Sequence, residues 1–142
     1  MHDLRRLSPC FAVAGQIRPG DLPKIAALGF RSVINNRPDD EESAQPRSED
    51  LAAAAFDAGL SYRDLPVSGP ISDLQANAMS HLLETLPSPV LAFCRSGRRS
   101  ASLWALVEAK NGDPDAILAA TREAGYALDE LRPRLETLAR AR

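Results

Sequence analysis

The sequence predicts an α/β fold: a mainly parallel central sheet flanked by helices, with a helical C-terminal part. Three observations predict it. Short apolar runs of strand length alternate with segments of helical period up to Phe93. One of these runs, Val90-Leu91-Ala92-Phe93, is apolar at every position, as a central strand covered on both faces requires. From Arg99 onward only helical patterns follow. At 142 residues the chain is read as one domain, residues 1–142, long enough to bury a core without disulfide or metal support.

The elements follow in order. Residues 11–15 are a short apolar stretch and the first expected strand; Leu22, Ile25, Ala26 and Leu28 then recur at helical spacing until Gly29 stops them. Residues 31–35 are the second strand. Residues 36–47 hold Pro38, the acids Asp39-Asp40-Glu41-Glu42 and Pro46, which predicts a solvated loop. Ser48 is the expected cap of a helix through Ala58, ended by Gly59. Residues 61–67 read as a strand broken by Ser68-Gly69-Pro70. Ser72 and Gln75 form a capping box for an amphipathic helix carrying Leu74, Met79, Leu82, Leu83 and Leu86. Pro87-Ser88-Pro89 leads into the apolar strand 90–93. A helix over residues 99–109 presents Leu103, Trp104, Leu106 and Val107 on a broad apolar face. Asp113-Pro114 starts another that reaches Ala124 before Gly125. The last helical stretch carries Leu131, Leu135 and Leu138, with Pro133 either in its first turn or at a kink.

Composition bounds the function. A hydrophobic fraction of 44% with 25% charged residues is that of a soluble globular protein, and no apolar run is long enough to span a bilayer. Residues 1–6 are charged and lead into no apolar signal-peptide core, so the expected location is cytoplasmic, with Cys10 and Cys94 reduced. A net charge of -2 argues against nucleic acid as a partner. His2, at the terminus, and His81, on a helix, make no ligand set, so no metal and no cofactor are expected.

The chemistry is expected in Phe93-Cys94-Arg95-Ser96-Gly97-Arg98-Arg99-Ser100, directly after the apolar strand. Ligands of parallel sheets collect beyond the carboxyl ends of strands. A loop closing into a helix aims backbone N–H groups into one concavity, so an anion is favoured there. The same field and the guanidinium groups of Arg95, Arg98 and Arg99 favour negative charge on the sulfur of Cys94, the candidate nucleophile. Gly97 permits the tight turn. Arg99 offers a two-pronged fork to an oxyanion, and Ser100 is the expected hydrogen-bond donor to the sulfur when it departs. Arg95, Ser96, Gly97 and Arg98 complete the expected anion-binding set. A buried turn that merely packed Cys94 would not carry three arginines. Cys10, before a strand and away from cations, is read as structural.

The runs Ala12-Val13-Ala14-Gly15-Gln16, Gly29-Phe30-Arg31-Ser32-Val33-Ile34-Asn35-Asn36-Arg37-Pro38, Tyr62 to Val67 and Pro89 to Trp104 agree in order and spacing with a known family. Together they resemble the phosphatase-like family related to the beta-lactamase-hydrolase-like proteins, across almost the whole chain. The resemblance implies a single phosphatase-like domain with the fold of the dual-specificity and protein tyrosine phosphatases. It also implies possible sulfurtransferase activity, since members occur fused to persulfide- and sulfide-oxidising enzymes. Three features depart from the tyrosine phosphatase pattern. Four residues separate Cys94 from Arg99 rather than five, as in the rhodanese loop Cys-Arg-x-Gly-x-Arg; Phe93 replaces the usual histidine; and Ser68-Gly69 stand where an acidic aspartate is common.

The missing acid sets the expected reaction. Losing a general acid costs a phosphatase about 10²- to 10⁴-fold on an alkoxide leaving group, whereas sulfite or a thiolate departs without a proton. The first expectation is therefore a rhodanese-type sulfurtransferase that forms a persulfide on Cys94, with a small anionic sulfur donor and a thiol acceptor as partners. The alternative is a tyrosine/dual-specificity-like phosphatase that takes a phosphorylated substrate through phospho-Cys94, with Asp64 or Asp73 as the possible general acid. A third reading is a non-catalytic anion-binding module. Nucleic acid and membrane are expected partners in none of them.

Overall fold

The computed structural model describes residues 4–141, and the apolar runs become one five-stranded sheet. Its strands are β1 (Arg5–Ser8), β2 (Phe11–Ala14), β3 (Ser32–Asn35), β4 (Ser61–Asp64) and β5 (Val90–Phe93), in spatial order β1-β2-β5-β3-β4. Only β1 is antiparallel to its neighbour. The helices are α1 (Leu22–Ala27), α2 (Ser48–Asp57), α3 (Asp73–Thr85), α4 (Arg98–Glu108), α5 (Pro114–Glu123) and α6 (Arg132–Arg140), with short 3-10 turns at Pro19–Asp21 and Asp129–Leu131.

Period-two alternation divides the core between two layers. Val90 and Ala92 of β5 join Phe11 and Val13 of β2 in a cluster with Met79 of α3 and Leu103 and Leu106 of α4. Leu91 and Phe93 face the other way, against Leu22 and Ile25 of α1 and Leu51 and Ala55 of α2. Both faces of β5 are thus covered, which is why its sequence shows no polar alternation. Each fully buried large side chain contributes about 1.5–3 kcal/mol. Trp104 lies parallel to Phe11, with ring centroids 6.3 Å apart. Residues 100–106 of α4 are all buried, so this helix is held against the sheet from its first turn.

The expected helices are present, with local differences. The Ser72–Gln75 capping box forms, Asp113 caps α5 by accepting from Ala116 N, and Pro133 sits in the first turn of α6 without a kink. The 61–67 run is a regular strand only to Asp64; Leu65 and Val67 then donate to the carbonyls of Asn35 and Asn36 in an irregular continuation. Ser48 is not the cap of α2. That position belongs to Arg47, while the Ser48 hydroxyl bonds to Tyr62 and Asp64. The strand β1 was not expected. It is an edge strand in which only Leu7 is buried, so four residues carry no pattern that distinguishes it from a charged terminus. Cys10, read as structural, is exposed in the turn between β1 and β2.

Among the described residues no helix is long and apolar enough to cross a membrane, and no three His, Cys, Asp or Glu residues are grouped to hold a metal. His81 lies on α3; His2 lies outside the described residues.

Candidate active site

Three parallel strands end together. Ala14 and Asn35 are both in register with Phe93, so β2 and β3 flank the point where the chain leaves β5. The exit is pinned on both sides: Asn36 N donates to Phe93 O at 2.8 Å, Cys94 N to Ala14 O at 3.3 Å, and Gln16 N to Arg95 O at 3.1 Å. The backbone of the loop is therefore set by sheet contacts.

Cys94 lies on the floor of this loop with 1% of its surface exposed. Its sulfur accepts the Gly97 amide at 3.1 Å. Gly97 holds φ +94°, and a Cβ there would stand 2.2 Å from the Tyr126 hydroxyl and 3.3 Å from Ala14 O. Two demands, a left-handed turn and a close approach, select glycine. Tyr126 donates to Ser96 O at 2.9 Å, tying the C-terminal helices to the loop. The Ser96 hydroxyl accepts from Arg98 N as α4 begins. The Arg98 guanidinium turns outward to Glu130.

Arg99 does present a fork, and an internal carboxylate fills it. Its Nη1 donates to Glu41 Oε2 at 2.7 Å and its Nη2 to Glu41 Oε1 at 2.9 Å, while Nη1 also reaches Val67 O at 2.8 Å. Glu41 is shared with Arg37, whose Nε donates to Oε1 at 2.8 Å. These guanidinium groups, Arg99 first, hold the Glu41 carboxyl down at about 2 against the opposing effect of burial. Arg99 is shifted upward in turn, chiefly by Glu41, with the sulfur of Cys94 acting in the same direction. Arg37 is 4% exposed and spends its remaining donors on Glu42 and Gln16. Arg95 is ion-paired through Nε with the same Glu42 oxygen at 2.9 Å. The acidic run expected to be a solvated loop is therefore half structural: Asp40 is exposed, but Glu41 and Glu42 are anchored on the arginines of the site.

Other expected site residues are placed differently. Ser100 is fully buried, and the partner of its hydroxyl is Asn36 Oδ1, to which it donates at 2.8 Å. Asp64 ends the edge strand β4 and accepts from Ser48; Asp73 is solvent-exposed and held by Arg134 Nη2 at 2.9 Å. Neither makes a hydrogen bond or ion pair with the Cys94 loop. Asn35, Asn36, Arg37, Glu41 and Glu42 had no expected role. The available signal was Asn35-Asn36-Arg37, three polar residues at the end of an apolar strand, all of which prove buried.

Residues 3–111 match the family model described as beta-lactamase hydrolase-like protein, phosphatase-like domain. The chain belongs to this family. A curated beta-lactamase hydrolase-like protein of Agrobacterium fabrum is 39% identical over 108 residues, which are 75% of this chain and 25% of that protein. The chain thus spans about a quarter of the length of the curated relatives it matches. A solved structure from Neisseria meningitidis, described as that of a candidate phosphatase, is 30% identical, covers 97% of this chain and 99% of its own, and superposes with a TM-score of 0.87. The core catalytic domain of the PP-IP phosphatase SIW14 of S. cerevisiae, 16% identical, covers 95% of this chain and 84% of its own with a TM-score of 0.68. The phosphatase-like chain therefore has the protein-tyrosine-phosphatase-like α/β fold expected of it.

Proposed function

We propose that this phosphatase-like chain is a thiol-dependent phosphomonoester hydrolase. The Cys94 thiolate attacks phosphorus, the P–O bond to the leaving group breaks, and that group departs with the bonding electrons. Water then attacks phospho-Cys94, the P–S bond breaks, and phosphate leaves as the thiolate is restored. Loop amides and the Arg99 fork take up the charge on the phosphoryl oxygens. The observation that carries this reading is that Arg99, whose guanidinium interacts with the Cys94 sulfur, presents a two-pronged fork that already grips two oxygens of the Glu41 carboxylate, the grip a phosphoryl group would need. The family membership and the Neisseria likeness add support, and they favour hydrolysis over the sulfur transfer expected first.

Among the described residues, neither expected acid nor the carboxylate on Arg99 stands ready as a proton donor. Glu41 is ionised by its arginines, and Asp64 and Asp73 are engaged elsewhere. The proposed substrates are therefore those whose leaving group departs as a stable anion, such as aryl phosphates. The same observation keeps sulfur transfer as the second reading, since sulfite needs no proton to leave.

Acid-quenched intact mass separates the two. Incubation with 4-nitrophenyl phosphate is expected to add one phosphoryl group to the wild type and none to Cys94→Ala. A protein that stays unphosphorylated and instead gains one sulfur atom from thiosulfate is a sulfurtransferase.

A further inference from the structure

The arginines around the Cys94 loop outnumber the carboxylates that meet them, and their sharing has a definite geometry. Arg37 stands in the middle. One edge of its guanidinium meets Glu41, which it shares with Arg99; Nη2 meets Glu42 Oε1 at 2.8 Å, which it shares with Arg95. Gln16 Oε1 accepts its third donor group at 2.9 Å. Buried to 4% exposure, Arg37 cannot lose its anionic partners without exchanging them for others.

The Glu42 position has the character of a binding site with an internal occupant. A single Glu42 oxygen accepts a hydrogen bond from Arg37 Nη2 at 2.8 Å and is ion-paired with Arg95 Nε at 2.9 Å, so it sits between two guanidiniums as a phosphate or sulfonate oxygen does between two arginines. The occupant is easily exchanged, since the Glu42 side chain is 51% exposed and that of Arg95 70%. Arg37, Arg95, Arg99, Glu41 and Glu42 line one open cleft of about 280 Å³. When Glu42 leaves it, three guanidiniums face one carboxylate and the field favours an incoming anion.

We propose that Arg37 and Arg95 form a second oxyanion subsite beside the Cys94 loop, which Glu42 fills and which the second anionic group of a doubly anionic substrate takes over. This deepens the hydrolase reading and rests on it for the first anion, the one that meets Cys94. Because one guanidinium joins the two positions, the two anionic groups must be close neighbours, as in a diphosphate or a vicinal bisphosphate. Glu42 then acts as a specificity residue. A singly anionic ligand leaves it in place, and a doubly anionic one displaces it.

The test is calorimetric titration of the Cys94→Ser protein with inorganic phosphate and with inorganic pyrophosphate at fixed ionic strength. Charge alone favours pyrophosphate, so the readout is the ratio of the two affinities across variants. The ratio is expected to rise about tenfold in Glu42→Gln, where the internal competitor has lost its charge, and to fall about tenfold in Arg95→Ala. Both residues are half exposed or more, and either variant alone decides if the other folds poorly. Phosphate binding with an unchanged ratio in the variants overturns the subsite and leaves the hydrolase reading standing. Failure of the Cys94→Ser protein to bind either anion overturns both.

Discussion

Glu41 and Arg99, 58 residues apart in the chain, meet through two hydrogen bonds of 2.7 and 2.9 Å, and this pair closes the arginine fork next to Cys94. The carboxylate orients the guanidinium, and an incoming oxyanion must share or replace it. Stability and anion binding are therefore coupled through one side chain.

The first prediction is a pH effect on folding. The Glu41 carboxyl is lowered from 4.5 to about 2, so its ion pair contributes fully above the unfolded value and the contribution is lost as pH falls from there toward 2. Glu41→Gln is expected to unfold about 1 kcal/mol more easily at neutral pH. Its stability should also fall less steeply than the wild type's between pH 4.5 and about 2. Urea unfolding of both proteins across that range measures it, and parallel curves would show that the pair contributes nothing.

Gly97→Ala tests the loop. A Cβ at φ +94° would lie 2.2 Å from the Tyr126 hydroxyl, so strain and steric overlap add. Destabilisation by about 2 kcal/mol or more is expected, with loss of phosphoryl transfer. Adding Tyr126→Phe removes the nearest atom and should recover part of the stability in a double-mutant cycle. Additive losses would mean that the Tyr126 hydroxyl is not the obstacle.

Leaving-group dependence tests the missing acid. If neither Asp64, Asp73 nor Glu41 donates a proton, turnover of a series of aryl phosphates should fall steeply as the phenol becomes less acidic. Asp64→Asn and Asp73→Asn should each alter kcat by less than about twofold, against the 10²- to 10⁴-fold loss that removing a true general acid brings. A loss of that size in either variant would identify the acid and restore alkyl phosphates as substrates.

Legibility differed between local and long-range features. Gly29, Gly59 and Gly125, the Ser72–Gln75 box and Asp113-Pro114 marked helix ends correctly because capping and left-handed turns are decided by neighbours a few residues away. The loop from Cys94 to Arg99 was visible for the same reason, since strand, turn and helix start are contiguous. Ser48 was misread because the partners of its hydroxyl, Tyr62 and Asp64, lie on β4, distant in the chain. The partner of the Ser100 hydroxyl, Asn36, was hidden for the same reason, lying 64 residues away in the chain.

What the amino-acid order by itself determined is the alternation of apolar strands and amphipathic helices and the placing of a cysteine, a glycine and three arginines after the central strand, all properties of short windows governed by periodicity and backbone freedom. Only the tertiary structure decided which charges meet. A run of four acids reads as a solvated loop until β3 ends beside β5 and brings Glu41 and Glu42 onto Arg99, Arg37 and Arg95. Electrostatic pairing depends on distance in space, and the parallel order β2-β5-β3 supplies that distance.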